Sequence, residues 1–128
     1  KIGVVGFCYG GHPACFASVT DPDVRCGAVF HPSMQLEGAF GGDAASLMRQ
    51  VRCPFLLAPA GNDLETWGFE APLSEALRAS AKGSACEWKA FPDMAHGWTC
   101  RGDLADAAVA RDIDEALRAA TLFLAKHL

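Results

Sequence analysis

No apolar run in the 128-residue sequence approaches the ~20 residues needed to span a bilayer, and no signal-peptide pattern opens the chain. Basic clusters are missing too. Eleven Lys and Arg against 15 Asp and Glu leave a net charge of −4, which argues against nucleic acid as a partner. Six cysteines are present (Cys8, Cys15, Cys26, Cys53, Cys86, Cys100), but no Cys-x-x-Cys pair, so neither a zinc knuckle nor a thioredoxin-type motif is written here. Five of them are expected to be small buried hydrophobes in a reducing compartment, and the chain reads as cytosolic. Hairpin signals and internal repeats are absent. There is no initiator Met, and the chain begins inside a predicted strand, so a segment upstream is expected to be missing.

What is there is 51% hydrophobic and 20% charged, the balance of one soluble globular domain over residues 1–128 with room for a core. The chain is organised around Lys1-Ile2-Gly3-Val4-Val5-Gly6-Phe7-Cys8-Tyr9-Gly10-Gly11. An apolar, β-branched run stops at a Gly-x-Cys-x-Gly-Gly turn, and a helix-compatible segment follows. This is the strand–turn–helix context of a nucleophile elbow, with Cys where Gly-x-Ser-x-Gly has Ser. The residues two before and two after such a nucleophile must be small, and Gly6 and Gly10 meet that requirement. A cysteine at a helix N-terminus also feels unpaired N–H groups and the positive end of the helix dipole, both of which favour thiolate. The competing reading is a glycine-rich βα turn around a structural cysteine. Phosphate binding is remote, because the Lys and Ser/Thr of a P-loop are missing.

Along the chain, the sequence predicts a helix from Gly10 to Val19, a strand over Cys26–His31, and a loop followed by a short helix over Ala44–Gln50 with Asp43 as its cap. A third strand is expected over Cys53–Ala60, ending in the turn Gly61-Asn62-Asp63, then a helix over Pro72–Ala81. Cys86–Phe91 alternates as a half-exposed edge strand would. The loop Pro92–Gly97 leads to a long amphipathic helix over about 105–127, with Val109, Ile113, Leu117, Ala120 and Leu124 at helical spacing. Strand and helix alternate, which implies parallel strands with right-handed crossovers. In such sheets ligands bind beyond the strands' C-terminal ends, where Cys8, His31, Asp63 and His96 all fall.

Cys8, Asp63 and His96 follow the nucleophile–acid–histidine order of the α/β-hydrolase triad. In that arrangement His96 accepts the thiol proton and later activates water, while Asp63 orients the imidazole. His31 competes with His96 for the base, and Glu65 and Asp93 are alternatives to Asp63. His12 and His127 are expected at the surface.

Together, Gly6-Phe7-Cys8-Tyr9-Gly10-Gly11, the Gly61-Asn62-Asp63 turn and Ala95-His96-Gly97-Trp98 with Arg101-Gly102-Asp103 resemble the dienelactone hydrolase family. The His31-Pro32-Ser33 loop and the closing helix look like its eukaryotic members. The resemblance covers the whole chain, but only the C-terminal half or so of the family's fold. It implies a partial α/β-hydrolase fold of about four parallel strands with helices on both faces, its N-terminal strands missing. It also implies a Cys8–Asp63–His96 triad that hydrolyses a small activated ester or lactone through a thioester. The backbone N–H of Tyr9 would be one oxyanion donor, the second belonging to the missing half. Arg101 would hold a substrate carboxylate through its bidentate fork, or else pair with Asp103 at the surface. His31 and Trp98 are the other candidates to line the substrate. No metal or organic cofactor is implied, and the expected partner is the small-molecule substrate. Without upstream neighbours the strand Lys1–Phe7 would present an open apolar edge, which predicts self-association there. A non-catalytic binding protein and a redox-responsive thiol protein built on Cys8 are the alternatives.

Overall fold

The computed structural model describes all 128 residues. Four parallel strands, β1 (Ile2–Phe7), β2 (Val24–Phe30), β3 (Phe55–Ala58) and β4 (Glu87–Trp88), form one sheet in the order β1-β2-β3-β4. Gly3 to Phe7 pair in register with Cys26 to Phe30, and Gly27 to Phe30 with Phe55 to Ala58. The helices are α1 (Gly11–Thr20), α2 (Gln35–Ala39), α3 (Ala44–Arg49), α4 (Leu64–Trp67), α5 (Pro72–Arg78), α6 (Trp98–Arg101) and α7 (Ala107–His127). No helix is long and apolar enough to cross a membrane.

Both faces of the sheet are covered, which is why β2 and β3 are apolar almost throughout rather than alternating. Val29, Phe55 and Leu57 pack with Ala14 and Cys15 of α1, Leu47 and Met48 of α3, and Ala76 and Leu77 of α5. Their strand neighbours Cys26, Ala28, Phe30, Leu56 and Ala58 point the other way, against Ala116, Ala120 and Phe123 of α7. The period-two alternation of strand side chains thus divides the core into two layers.

Several elements differ from expectation. The predicted edge strand over 86–91 shrinks to Glu87–Trp88 plus an isolated bridge between Ala60 and Phe91. The loop after β2 contains α2, whose Glu37 accepts a 2.7 Å hydrogen bond from His12 Nε2. His12 is therefore buried between α1 and α2, not a surface residue. His127 is half-buried, its ring 4.5 Å from that of Phe123. On α7, Leu117 is 45% exposed, because the face that meets the sheet runs through Ala116, Ala120 and Phe123. Asp43 caps α3 as expected, accepting from the Ser46 N–H at 2.8 Å. β1 has β2 as its only neighbour, and Ile2 and Val5 are nearly half exposed.

Candidate active site

Cys8 follows β1 directly and opens a single 3-10 turn, Cys8–Gly10, that runs into α1. Its φ of 50° lies in the left-handed region, which side chains with a Cβ rarely occupy. Such strain persists only where surrounding contacts fix it, and the contacts are evident. The Cys8 carbonyl accepts from the Ser33 N–H at 2.9 Å, tying the elbow to the loop after β2. A Cβ on Gly6 would meet the Gly10 carbonyl carbon at 2.6 Å, and one on Gly11 would meet Pro32 Cβ at 2.5 Å. At Gly10 an added Cβ meets nothing within 4 Å. The tight approaches therefore fall at Gly6 and Gly11, and Gly10 is small without needing to be.

The acid and the base come from the ends of β3 and of the segment after β4. Asp63 closes the 3-10 turn Gly61–Asp63, and its Oδ2 accepts from the Ala60 N–H at 3.1 Å. Its Oδ1 lies 2.8 Å from His96 Nδ1. The neighbouring Asn62 holds the same loop by its backbone, accepting from the His96 N–H at 2.8 Å. Neither Glu65 nor Asp93 hydrogen-bonds the histidine. On the far side of the ring, His96 Nε2 lies 3.1 Å from Cys8 Sγ. A carboxylate can only accept, so Nδ1 carries a proton and Nε2 faces the thiol.

Ser33 completes this arrangement. Its hydroxyl is 3.4 Å from His96 Nε2 and 3.7 Å from Cys8 Sγ. The hydrogen bond from His96 holds the Cys8 thiol below its ordinary value of 9.0; desolvation opposes, and Ser33 and the Tyr9 backbone N–H add to the lowering. For His96, burial disfavours the charged ring, but its bonds to Cys8 and Asp63 outweigh burial and raise it above 6.5. These opposite shifts favour a thiolate–imidazolium pair.

His31 is fully buried, with φ 37°, and its ring stands edge-on to His96 (centroids 5.0 Å apart) and to Trp98 (5.1 Å). Its Nε2 lies 2.6 Å from Thr99 Oγ1, while its Nδ1 is buried without a partner. Burial first, and then the charge of His96, lowers His31 to about 4, so it is a neutral ring at physiological pH. Trp98 is 4% exposed and belongs to the core beneath the His96 loop.

Two cavities meet at His96. One, of about 350 Å³, is bordered by Ser33, Met34, Asp63, Trp67 and Leu73. The other, of about 410 Å³, is bordered by Met94, Trp98, Arg101 and Val109. Arg101 is exposed, makes no ion pair with Asp103, and borders the second cavity but not the one that Ser33 lines. Ser33 and Asn62 are the site residues that the sequence reading missed. Neither belongs to a triad pattern; their place within the His31-Pro32-Ser33 loop and the Gly61-Asn62-Asp63 turn is the signal that could have marked them.

The folds of known proteins agree with this architecture. The chain matches Pyrococcus horikoshii acylaminoacyl peptidase (orthorhombic crystal form) at a TM-score of 0.66 and 16% identity, over 99% of this chain and 24% of that one. It matches an acylaminoacyl peptidase in complex with Z-Gly-Gly-Phe-chloromethyl ketone at 0.60 and 19% identity, over 91% and 22%. The uncomplexed Pyrococcus horikoshii enzyme matches at 0.59 and 19%, over 87% and 22%. At these identities the likeness is one of fold, and the chain spans about a quarter of the length of these peptidases. No curated protein sequence matches it. The model of the dienelactone hydrolase family matches residues 1–128, so the chain belongs to the dienelactone hydrolase family.

Proposed function

We propose that this chain hydrolyses small activated esters or lactones, with Cys8 as nucleophile, His96 as base and Asp63 as its orienting acid. The observation that carries the reading is the continuous relay from Cys8 Sγ to His96 Nε2 at 3.1 Å and from His96 Nδ1 to Asp63 Oδ1 at 2.8 Å, on a strained elbow. The Cys8 thiolate attacks the carbonyl carbon, and the oxyanion that forms takes the Tyr9 backbone N–H as one donor. As the tetrahedral intermediate collapses, the alcohol or enol oxygen leaves with the proton held on His96 Nε2, and a thioester remains on Cys8. Water then gives a proton to His96 Nε2 and adds to the thioester, and the second collapse releases the carboxylic acid and restores the thiolate–imidazolium pair. Asp63 keeps the proton on Nδ1 throughout. A thiolate is a good leaving group, which suits reactive esters and lactones better than amides. The cavity of about 350 Å³ beside Ser33 and His96 is at the small end of ligand sites, in keeping with a small substrate.

The test is turnover of an activated aryl ester and an enol-lactone by this chain and by Cys8→Ala, with intact mass followed during reaction. Turnover with a transient acyl adduct, both lost in Cys8→Ala, is the expected result. Equal rates for the two proteins and no adduct would overturn the reading.

A further inference from the structure

Three metal-ligating side chains that are remote in sequence meet at the ends of β1 and β2 and in the loop after β4. One donor atom each from Cys8, His31 and His96 lies within 4.8 Å of the other two. A tetrahedral Zn2+ with bonds of about 2.3 Å to sulfur and about 2.0–2.1 Å to nitrogen needs its donors roughly 3.5 Å apart. The Cys8–His96 pair is already at 3.1 Å. Small movements of the partly exposed Cys8 and His96 would close the set around an ion.

The surroundings are those of a ligand set as well. A zinc-bound histidine usually donates its other ring N–H to a carboxylate or another oxygen, which fixes tautomer and ring plane. His96 meets this condition through Nδ1 and Asp63 Oδ1 at 2.8 Å. His31 meets it through Nε2 and Thr99 Oγ1 at 2.6 Å, which leaves Nδ1 as the nitrogen free to bind. That nitrogen is buried in a fully buried residue and has no hydrogen-bond partner. Buried polar atoms are nearly always paired, so an orphan on a ring that offers a donor within 4.8 Å of the Cys8 sulfur and a His96 nitrogen calls for an explanation. The hydrolytic relay gives it none, since Cys8, His96 and Asp63 are complete without His31.

We propose that Cys8, His31 and His96 form a binding site for one Zn2+ ion, and that the bound ion silences Cys8. One thiolate and two neutral imidazoles are a borderline-soft set, suited to Zn2+ and poorly suited to Mg2+ or Ca2+. The one proton of the Cys8–His96 pair, carried on His96 Nε2 in its thiolate–imidazolium form, leaves to solvent. Three metal–ligand bonds form without any change of oxidation state, and water takes the fourth position. The sulfur lone pair and the His96 Nε2 lone pair are then both engaged by the ion, so neither nucleophile nor base is free. Any Cys–His pair offers two ligands; His31 supplies the third that turns the pair into a site.

The site is tested on the full chain with Co2+ as the spectroscopic probe and Zn2+ as its competitor. The expected result is one Co2+ per chain with a sulfur-to-cobalt charge-transfer band, displaced by Zn2+. The band should vanish in Cys8→Ala and survive Cys100→Ser. His31→Gln should weaken Co2+ binding by more than about tenfold, and Thr99→Val by about tenfold, the usual cost of losing an outer-shell partner. Thr99 is only half-buried, so the valine variant decides the matter if the histidine variant does not fold. Zn2+ should also protect Cys8 from alkylation, reversibly on addition of EDTA. Binding without the sulfur band, a band that follows Cys100 instead of Cys8, or wild-type affinity in both the His31 and Thr99 variants would overturn the proposal. These readouts need no ester turnover, so a chain that is inactive when freed of metal by EDTA and yet binds Co2+ would refute the hydrolase reading and leave the metal site standing.

Discussion

Replacing Gly6 by alanine should damage the elbow, while the same change at Gly10 should not, although the two glycines look equivalent in the sequence. A methyl group on Gly6 would lie 2.6 Å from the Gly10 carbonyl carbon and 2.9 Å from the Gly11 nitrogen. The closer of these is 0.8 Å inside the 3.4 Å at which ordinary contact begins. Both partners are backbone atoms, so no rotamer change relieves the clash; the Cys8–Gly10 turn must move away from β1. Overpacking of this kind costs about 1–3 kcal/mol. Because Cys8 rides on that turn, its reactivity should suffer further, and a displacement of ~1 Å at a reacting group can cost about 10²-fold. Gly10 has helical φ and ψ of −59° and −15° with open space around it. Alanine there should raise stability by about 0.4–1 kcal/mol by restricting the unfolded chain. Urea midpoints give the stability, and mass-resolved alkylation of Cys8 gives the reactivity without assuming any activity. A Gly6→Ala protein with unchanged midpoint and unchanged Cys8 rate, or a Gly10→Ala protein damaged more than Gly6→Ala, would refute the packing argument.

Three further outcomes follow from the site. The Cys8 thiol is held below 9.0 by its bond with His96 first, against desolvation, and with a smaller contribution from Ser33, so its alkylation rate should rise at lower pH than that of an ordinary thiol. Ser33→Ala should shift the midpoint of that profile upward and His96→Ala should shift it further; profiles that coincide with wild type in both variants would contradict the assignment. Asp63→Asn replaces the carboxylate 2.8 Å from His96 Nδ1 by a neutral amide that no longer stabilises the charged ring and can favour the wrong tautomer. On an activated ester kcat/KM should then fall on the order of 10²–10⁴-fold, a loss under tenfold being incompatible with an orienting role. Trp67→Phe deletes the 2.9 Å bond from Trp67 Nε1 to the Pro32 carbonyl, next to Ser33. Leaving that buried carbonyl unpaired should cost about 1–3 kcal/mol in urea unfolding, and full stability would show the bond to be idle.

The strand ends were legible because punctuation marks them. Gly-x-Cys-x-Gly-Gly and Gly61-Asn62-Asp63 each follow an apolar run, and Ala95-His96-Gly97 lies in the loop after the alternating segment 86–91. Alternation of strands with helices implies that all these ends share one edge of a parallel sheet. The sequence by itself therefore determined the fold class, with helices on both faces of a parallel sheet, and the company kept by Cys8, Asp63 and His96 at the strands' C-terminal ends. It did not determine how loop backbones aim their side chains. Ser33 reaches Cys8 and His96 only because the Cys8 carbonyl captures the Ser33 N–H. Asn62 matters through a bond to a backbone N–H 34 residues away, which no local pattern records. Whether Gly10 or Gly11 is the tight glycine depends on where Pro32 passes. His31 could be placed near the site from its strand end, but its burial and unpaired Nδ1 arise from α6 and the His96 loop closing over it. Period and punctuation are local properties of the chain; distances between side chains on separate crossovers are set only when the sheet and its covering helices have packed.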